Sequence, residues 1–162
     1  MKVKNKVVVV TGAGSGMGRE ITLELVRRGA KVAAVDMREE TLAETAKIAG
    51  HGVETFVLDV TNRADVARLP SKIEAKIGDV DILINNAGIG SLTTVEHETD
   101  EIWQKVLNVN VVGTARVSRA AIPLLRKSQS PAIVNTASIA ARSAESGEVP
   151  SFSIASVFIK ER

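Results

Sequence analysis

The sequence predicts an α/β fold, a doubly wound parallel sheet of strand order 3-2-1-4-5 with helices on both faces. Two observations carry this. Short apolar runs recur along the 162 residues, and amphipathic helical patterns separate them. Runs as continuously apolar as Val7-Val8-Val9-Val10 and Val32-Ala33-Ala34-Val35 suit strands covered on both sides, as in a parallel sheet. Right-handed crossovers then fix the doubly wound order.

The elements follow in turn. A strand over 6–11 leads through the glycine turn Gly12–Gly18 into an amphipathic stretch containing Ile21, Leu23, Leu25 and Val26. A second strand is predicted over 31–36 and a third over 53–58. Between the third and fourth, Val66, Leu69, Ile73 and Ile77 recur at spacings that keep one helix face apolar. The fourth strand spans 80–85, with Asp79 and Asp81 at its start read as turn formers. A long helical stretch from about Glu101 to Arg126 carries Trp103, Val106, Leu107 and Val111 as packing residues, and Pro123 is expected to kink it or end it early. The fifth strand covers 131–137. Ligands bind such sheets at the carboxyl ends of the strands, where Asp36, Asp59, Asn86 and Ser138 all fall.

The glycine turn carries the first chemical signal. Glycines permit positive φ and close backbone approach, so main-chain N–H groups and a helix N-terminus can meet a pyrophosphate. The spacing is Gly12-xxx-Gly16-x-Gly18. It is not the usual G-x-G-x-x-G, whose sixth position would be Met17 or Arg19 here. About twenty residues on, Asp36 ends the second strand, where a carboxylate accepts from adenosine ribose hydroxyls and repels a 2′-phosphate. NAD is therefore expected over NADP, although Arg38 stands close enough to hold a 2′-phosphate.

With Thr11-Gly12-Ala13-Gly14-Ser15-Gly16-Met17-Gly18 as its glycine motif, the chain resembles the short-chain dehydrogenase/reductase family, whose pattern is TGxxxGxG. The resemblance implies a Rossmann-like fold. It places Gly12, Ser15, Gly16, Met17 and Gly18 at the cofactor. Leu58-Asp59-Val60 resembles the family's adenine-holding turn, which gives that role to Asp59 and Val60. Asn85-Asn86-Ala87-Gly88 matches the NNAG motif that braces the central sheet beside the cofactor, adding Asn86, Ala87 and Gly88. Asn110 falls where the family keeps its active-site asparagine, and Ser138 where its catalytic serine holds the substrate oxygen.

Past Ser138 the chain departs from the family. The family's YxxxK pair has Phe152-Ser153-Ile154-Ala155-Ser156 as its counterpart, so both functional positions are changed, and no tyrosine occurs anywhere in the sequence. Oxidation of an alcohol needs its hydroxyl proton removed, and phenylalanine cannot accept one. Lys160 lies four residues beyond Ser156, about 6 Å further along a helix. Losing a positioned acid–base group costs about 10² to 10⁴ in rate. Relative to the family the chain reads as C-terminally truncated, without the last strands. It is expected to be a single dinucleotide-binding domain over 1–162, with 151–162 a poorly ordered or partner-bound remnant of the active-site helix. The family commonly dimerises, so a homo-oligomer is expected.

Composition excludes other classes. Hydrophobic residues make up 44% of the chain, enough for a core, and the net charge of +2 is dispersed along helices, which argues against nucleic acid. No cysteine is present, so disulfides and thiolate metal sites are excluded; His51 and His97, far apart in polar contexts, are not read as ligands. No signal-peptide pattern and no membrane-length apolar run occur, so a cytoplasmic protein is expected. Two function classes follow. One is an NAD(H)-dependent alcohol or ketone oxidoreductase by descent, nearly inactive as written; the other is a non-catalytic NAD-binding pseudoenzyme or interaction module.

Overall fold

The computed structural model describes residues 2–90 and 95–137. Its elements run β1 (Val7–Thr11), α1 (Gly16–Arg27), β2 (Lys31–Asp36), α2 (Glu39–Ala49), β3 (Val53–Val57), α3 (Arg63–Ile77), β4 (Ile82–Asn85), α4 (Asp100–Leu107), α5 (Thr114–Leu125) and β5 (Ala132–Asn135). The five strands form one parallel sheet in the order β3-β2-β1-β4-β5, the order read from the sequence. The first and fourth strands flank the point where the strand order reverses, and ligands bind there in this architecture.

Alternation along each strand divides the core in two. Val7 and Val9 join Ala33, Val35 and Leu83 on one face, beneath Val66, Leu69 and Ile73 of α3 and Val117, Ala121, Leu124 and Leu125 of α5. Val8 and Val10 join Val32, Ala34, Ile82 and Ile84 on the other, beneath Leu25 and Val26 of α1 and Leu42 of α2. All five residues of β1 are buried, so its run of valines is needed on both sides. In α3, Asn62 caps the start by accepting from the N–H groups of Ala64 and Asp65.

The long fourth helical stretch differs from expectation. Asp100–Leu107 is α-helical, Asn108–Gly113 widens into a π-helical turn, and α5 resumes at Thr114. The break therefore lies at the π turn. Pro123 sits inside α5, which ends two residues later at Leu125. Of the predicted packing residues on this stretch, Val106 is buried, whereas Leu107 is 39% exposed.

Asp81 also does more than form a turn. Its Oδ2 accepts from the Val7 N–H at 3.0 Å, and its Oδ1 accepts from Lys6 Nζ at 3.0 Å and Ser128 Oγ at 2.5 Å. The amino-terminal ends of β1 and β4 are thereby tied to the segment that enters β5, on the side of the sheet away from the cleft described below. Asp79 instead faces Lys127, which also pairs with Glu74 of α3.

Candidate functional site

The strand ends open into a cleft of about 840 Å³. Its walls come from the glycine turn, the end of β2, the segment after β3 and the segment after β4. Of the predicted cofactor residues, Gly12, Ser15, Met17, Gly18, Asp36, Asp59, Val60, Asn86, Ala87 and Gly88 all line it. Gly16 does not; it is the first residue of α1 and has φ +52°.

The glycine turn owes its shape to close backbone approaches. Gly12 has φ +68°, and a Cβ there would lie 2.9 Å from Ala87 Cα. A Cβ on Gly18 would lie 2.0 Å from the Gly12 carbonyl oxygen and 2.5 Å from Asn86 Nδ2. The turn is held from outside as well. Arg19 donates from Nη2 to the Gly14 carbonyl at 2.6 Å and pairs with Glu44, while Thr45 Oγ1 donates to the Ala13 carbonyl at 3.0 Å. The segment after β4 docks on the same turn, because Thr11 Oγ1 accepts from the N–H groups of both Asn86 and Ala87 at 3.0 Å. Thr136 Oγ1 reaches the Asn86 side-chain oxygen at 3.1 Å, which extends this network to β5.

Asp36 stands at the mouth between these parts. Its Oδ2 accepts from the Gly14 N–H at 3.0 Å and its Oδ1 from the Arg38 N–H at 3.1 Å. Arg38 turns its guanidinium across the mouth, with Nη2 donating to Ser15 Oγ at 3.0 Å and Nε 4.0 Å from Asp36 Oδ1. Opposite, Asp59 Oδ1 accepts from both the N–H and the hydroxyl of Thr61 at 2.8 Å.

Asn110 lies in the π-helical turn. Its Oδ1 accepts from the Ile89 N–H and its Nδ2 donates to the Ile89 carbonyl, each at 2.9 Å, so one amide clasps the backbone of a cleft residue. Asn110 itself is not among the residues lining the cleft. Ser138, Phe152, Ser156, Lys160 and the segment 151–162 lie outside the described residues.

The model of the short chain dehydrogenase family matches residues 6–153. The chain belongs to that family. It is similar to a 3-oxoacyl-[acyl-carrier-protein] reductase of Thermotoga maritima, 35% identical over 142 residues, which cover 86% of this chain and 58% of the reductase. Two solved structures share its fold. One is a short-chain dehydrogenase/reductase from Burkholderia phymatum in complex with NAD, with TM-score 0.85 and 34% identity over 91% of this chain and 54% of that one. The other is a short chain dehydrogenase from Shigella flexneri complexed with NADP, with TM-score 0.84 and 28% identity over 91% of this chain and 65% of that one. The chain spans about 60% of the length of the curated relatives it matches. The glycine turn, Asp36 and Asp59 stand along the cleft at the switch point, where ligands bind in this architecture.

Several cleft residues carry no signal that local reading could find. Met37, Thr61, Lys105, Asn108 and Val109 line it, and Thr11, Arg19 and Thr45 support it. Only Thr11 was within reach, as the opening threonine of the glycine motif. Among the described residues no group of acidic, histidine or cysteine side chains could hold a metal, and no helix is long and apolar enough to cross a membrane.

Proposed function

We propose that this chain is an oxidoreductase of the short-chain type by descent, that it binds NAD(H) in preference to NADP(H), and that it turns over an alcohol or ketone very slowly. The observation that carries the reading is the cleft in which Gly12, Gly18, Asp36 and Asp59 meet at the carboxyl ends of the strands. The residues fit the dinucleotide. The glycine turn is drawn so tightly together that a Cβ on Gly18 would strike the Gly12 carbonyl, which leaves Gly12 and Gly18 as bare backbone along the cleft, and Asp36 and Asp59 offer acceptors where an adenosine presents donors.

In this reading Gly12, Ser15, Gly16, Met17 and Gly18 receive the pyrophosphate at the start of α1, Asp36 accepts from the ribose hydroxyls, and Asp59 with Val60 holds the adenine. Asn86, Ala87 and Gly88 form the wall beside the nicotinamide half. The Asp36 side chain is only 10% exposed and its carboxylate is fixed by two backbone N–H groups, so it cannot swing away from a 2′-phosphate. Arg38, spread between Ser15 and Asp36, screens that charge without removing it.

The cofactor supplies a hydride acceptor, and the chain must supply proton removal. Ser138 would hold the substrate oxygen, with Asn110 shaping the wall through Ile89. Phe152 and Ser156 offer neither the phenol nor the ammonium that makes the phenol acidic. The same two residues support the second reading, an NAD-binding module without turnover.

The test is a fluorescence titration of the purified chain with NADH and with NADPH, followed by turnover on a panel of alcohols and ketones at saturating cofactor. Saturable binding that prefers NADH is expected, with turnover about 10² to 10⁴ below that of an enzyme with its acid–base pair. Absence of binding to both dinucleotides would overturn the reading. Binding with no turnover at all would leave the module.

A further inference from the structure

From Arg116 we infer a positioning role at the adenine end of the cleft, one that rests on the dinucleotide reading above. Arg116 lies on α5, far in sequence from the segment after β3. Its Nη1 donates to the Thr61 carbonyl at 3.1 Å and to Asn108 Oδ1 at 3.1 Å. Both acceptors belong to cleft residues. One half-buried guanidinium therefore ties the turn Asp59–Asn62 to the π-helical turn on the opposite wall.

The tie acts on Asp59 through Thr61. The N–H and the hydroxyl of Thr61 both donate to Asp59 Oδ1 at 2.8 Å, so the position of the Thr61 peptide sets the rotation of the carboxylate. Among the described residues both hydrogen bonds to the Asp59 carboxylate fall on Oδ1, which leaves Oδ2 for a donor in the cleft. A second contact works on the same turn. A Cβ on Gly113 would lie 2.8 Å from Val60 Cγ2, so the end of the π turn presses directly on the residue between Asp59 and Thr61. Charge-assisted bonds from an arginine are about twice as strong as neutral ones. Arg116 is thus a charge-assisted link from α5 to this turn, and it does not itself line the cleft.

A carboxylate fixed in this way accepts from the 6-amino group of adenine and repels the 6-oxo group of hypoxanthine. Base discrimination is therefore the property that Arg116 controls. The experiment measures dissociation constants of the full chain for NADH and for its hypoxanthine analogue, in the wild type, Arg116→Leu, Arg116→Lys and Gly113→Ala. The wild type is expected to favour NADH by about tenfold, the worth of a hydrogen bond to a charged group. In Arg116→Leu that ratio falls toward one, and Arg116→Lys, which keeps a donor, retains more of it. Gly113→Ala displaces Val60 without removing charge and lowers the ratio as well, which covers the case in which Arg116→Leu fails to fold. Amide exchange at Thr61 in the ligand-free protein is expected to quicken in Arg116→Leu. An unchanged ratio, or equal weakening of both ligands, overturns the inference while leaving the dinucleotide reading intact. Failure of the wild type to bind either dinucleotide overturns both.

Discussion

Gly18 and Gly12 approach so closely that a Cβ on the first would stand 2.0 Å from the carbonyl oxygen of the second. Gly18 lies in the first turn of α1, where alanine would ordinarily stabilise the helix by about 1 kcal/mol. Here the obstacle is backbone, which cannot rotate aside, so overpacking of about 1–3 kcal/mol outweighs that gain. Gly18→Ala is therefore expected to lower the melting temperature and to abolish NADH binding.

Gly16 provides the contrast. A Cβ there meets nothing within 4 Å, and the only cost is its φ of +52°. That conformation costs an alanine about 1 kcal/mol. Gly16→Ala should therefore fold nearly as stably as the wild type and keep measurable NADH affinity. Equal loss of binding in the two variants would show that the turn fails for a reason other than steric fit.

Asp36 holds two backbone N–H groups while carrying the charge that opposes a 2′-phosphate. Asp36→Asn keeps an acceptor and removes the charge. The expected result is a rise in NADPH affinity relative to NADH by about tenfold, each factor of ten corresponding to about 1.4 kcal/mol. Arg38 would then be released from the carboxylate and free to meet the added phosphate. An unchanged NADH-to-NADPH ratio would remove Asp36 as the discriminating group.

The strands, their order and half of the cleft lining were legible because they are written locally. Continuous apolar runs mark buried parallel strands, and Gly12, Asp36, Asp59 and Asn86 follow strand ends. The π-helical turn was not legible. One added residue per turn shifts an apolar pattern by an amount that a helical reading of Val106, Leu107 and Val111 absorbs, and it left Leu107 on the outside. The roles of Asp81, Arg19 and Arg116 were hidden for another reason. Their partners lie 74, 26 and 55 residues away, so only the closed sheet brings them together.

Asn110 clasps both backbone groups of Ile89, and its loss leaves an N–H and a carbonyl half-buried without that partner. Asn110→Ala is expected to cost about 2–6 kcal/mol, at about 1–3 kcal/mol for each of the two groups left unpaired. Asn110→Asp should be the more telling variant. Its carboxylate still accepts from the N–H but faces the Ile89 carbonyl with like charge, whereas the protonated acid donates to it. The aspartate form is thus penalised by folding, and chemical denaturation should find the variant gaining on the wild type as pH falls from about 7 toward 4.

Asp81 gives the wild type an acid dependence of opposite sign. Burial raises its pKa, but the hydrogen bonds from Ser128, the Val7 N–H and Lys6 outweigh burial, and the carboxyl is held below its ordinary value of 3.8. A group with a depressed folded pKa binds its proton more readily when unfolded, so its stabilisation is complete above the ordinary value. It is then lost as pH falls through that value toward the folded one. Urea unfolding of the wild type should accordingly weaken below about pH 5, as unfolded carboxyls begin to protonate. Asp81→Asn is expected to cost about 1–3 kcal/mol at pH 7, the worth of hydrogen bonds to a charged acceptor. The same variant should show a shallower acid slope, because the group that linked proton binding to folding has gone. Since this cluster joins the amino-terminal strand ends, far from the cleft, NADH affinity of the folded Asp81→Asn variant at neutral pH should match that of the wild type. A parallel acid slope in the two proteins would assign the acid sensitivity to other carboxylates.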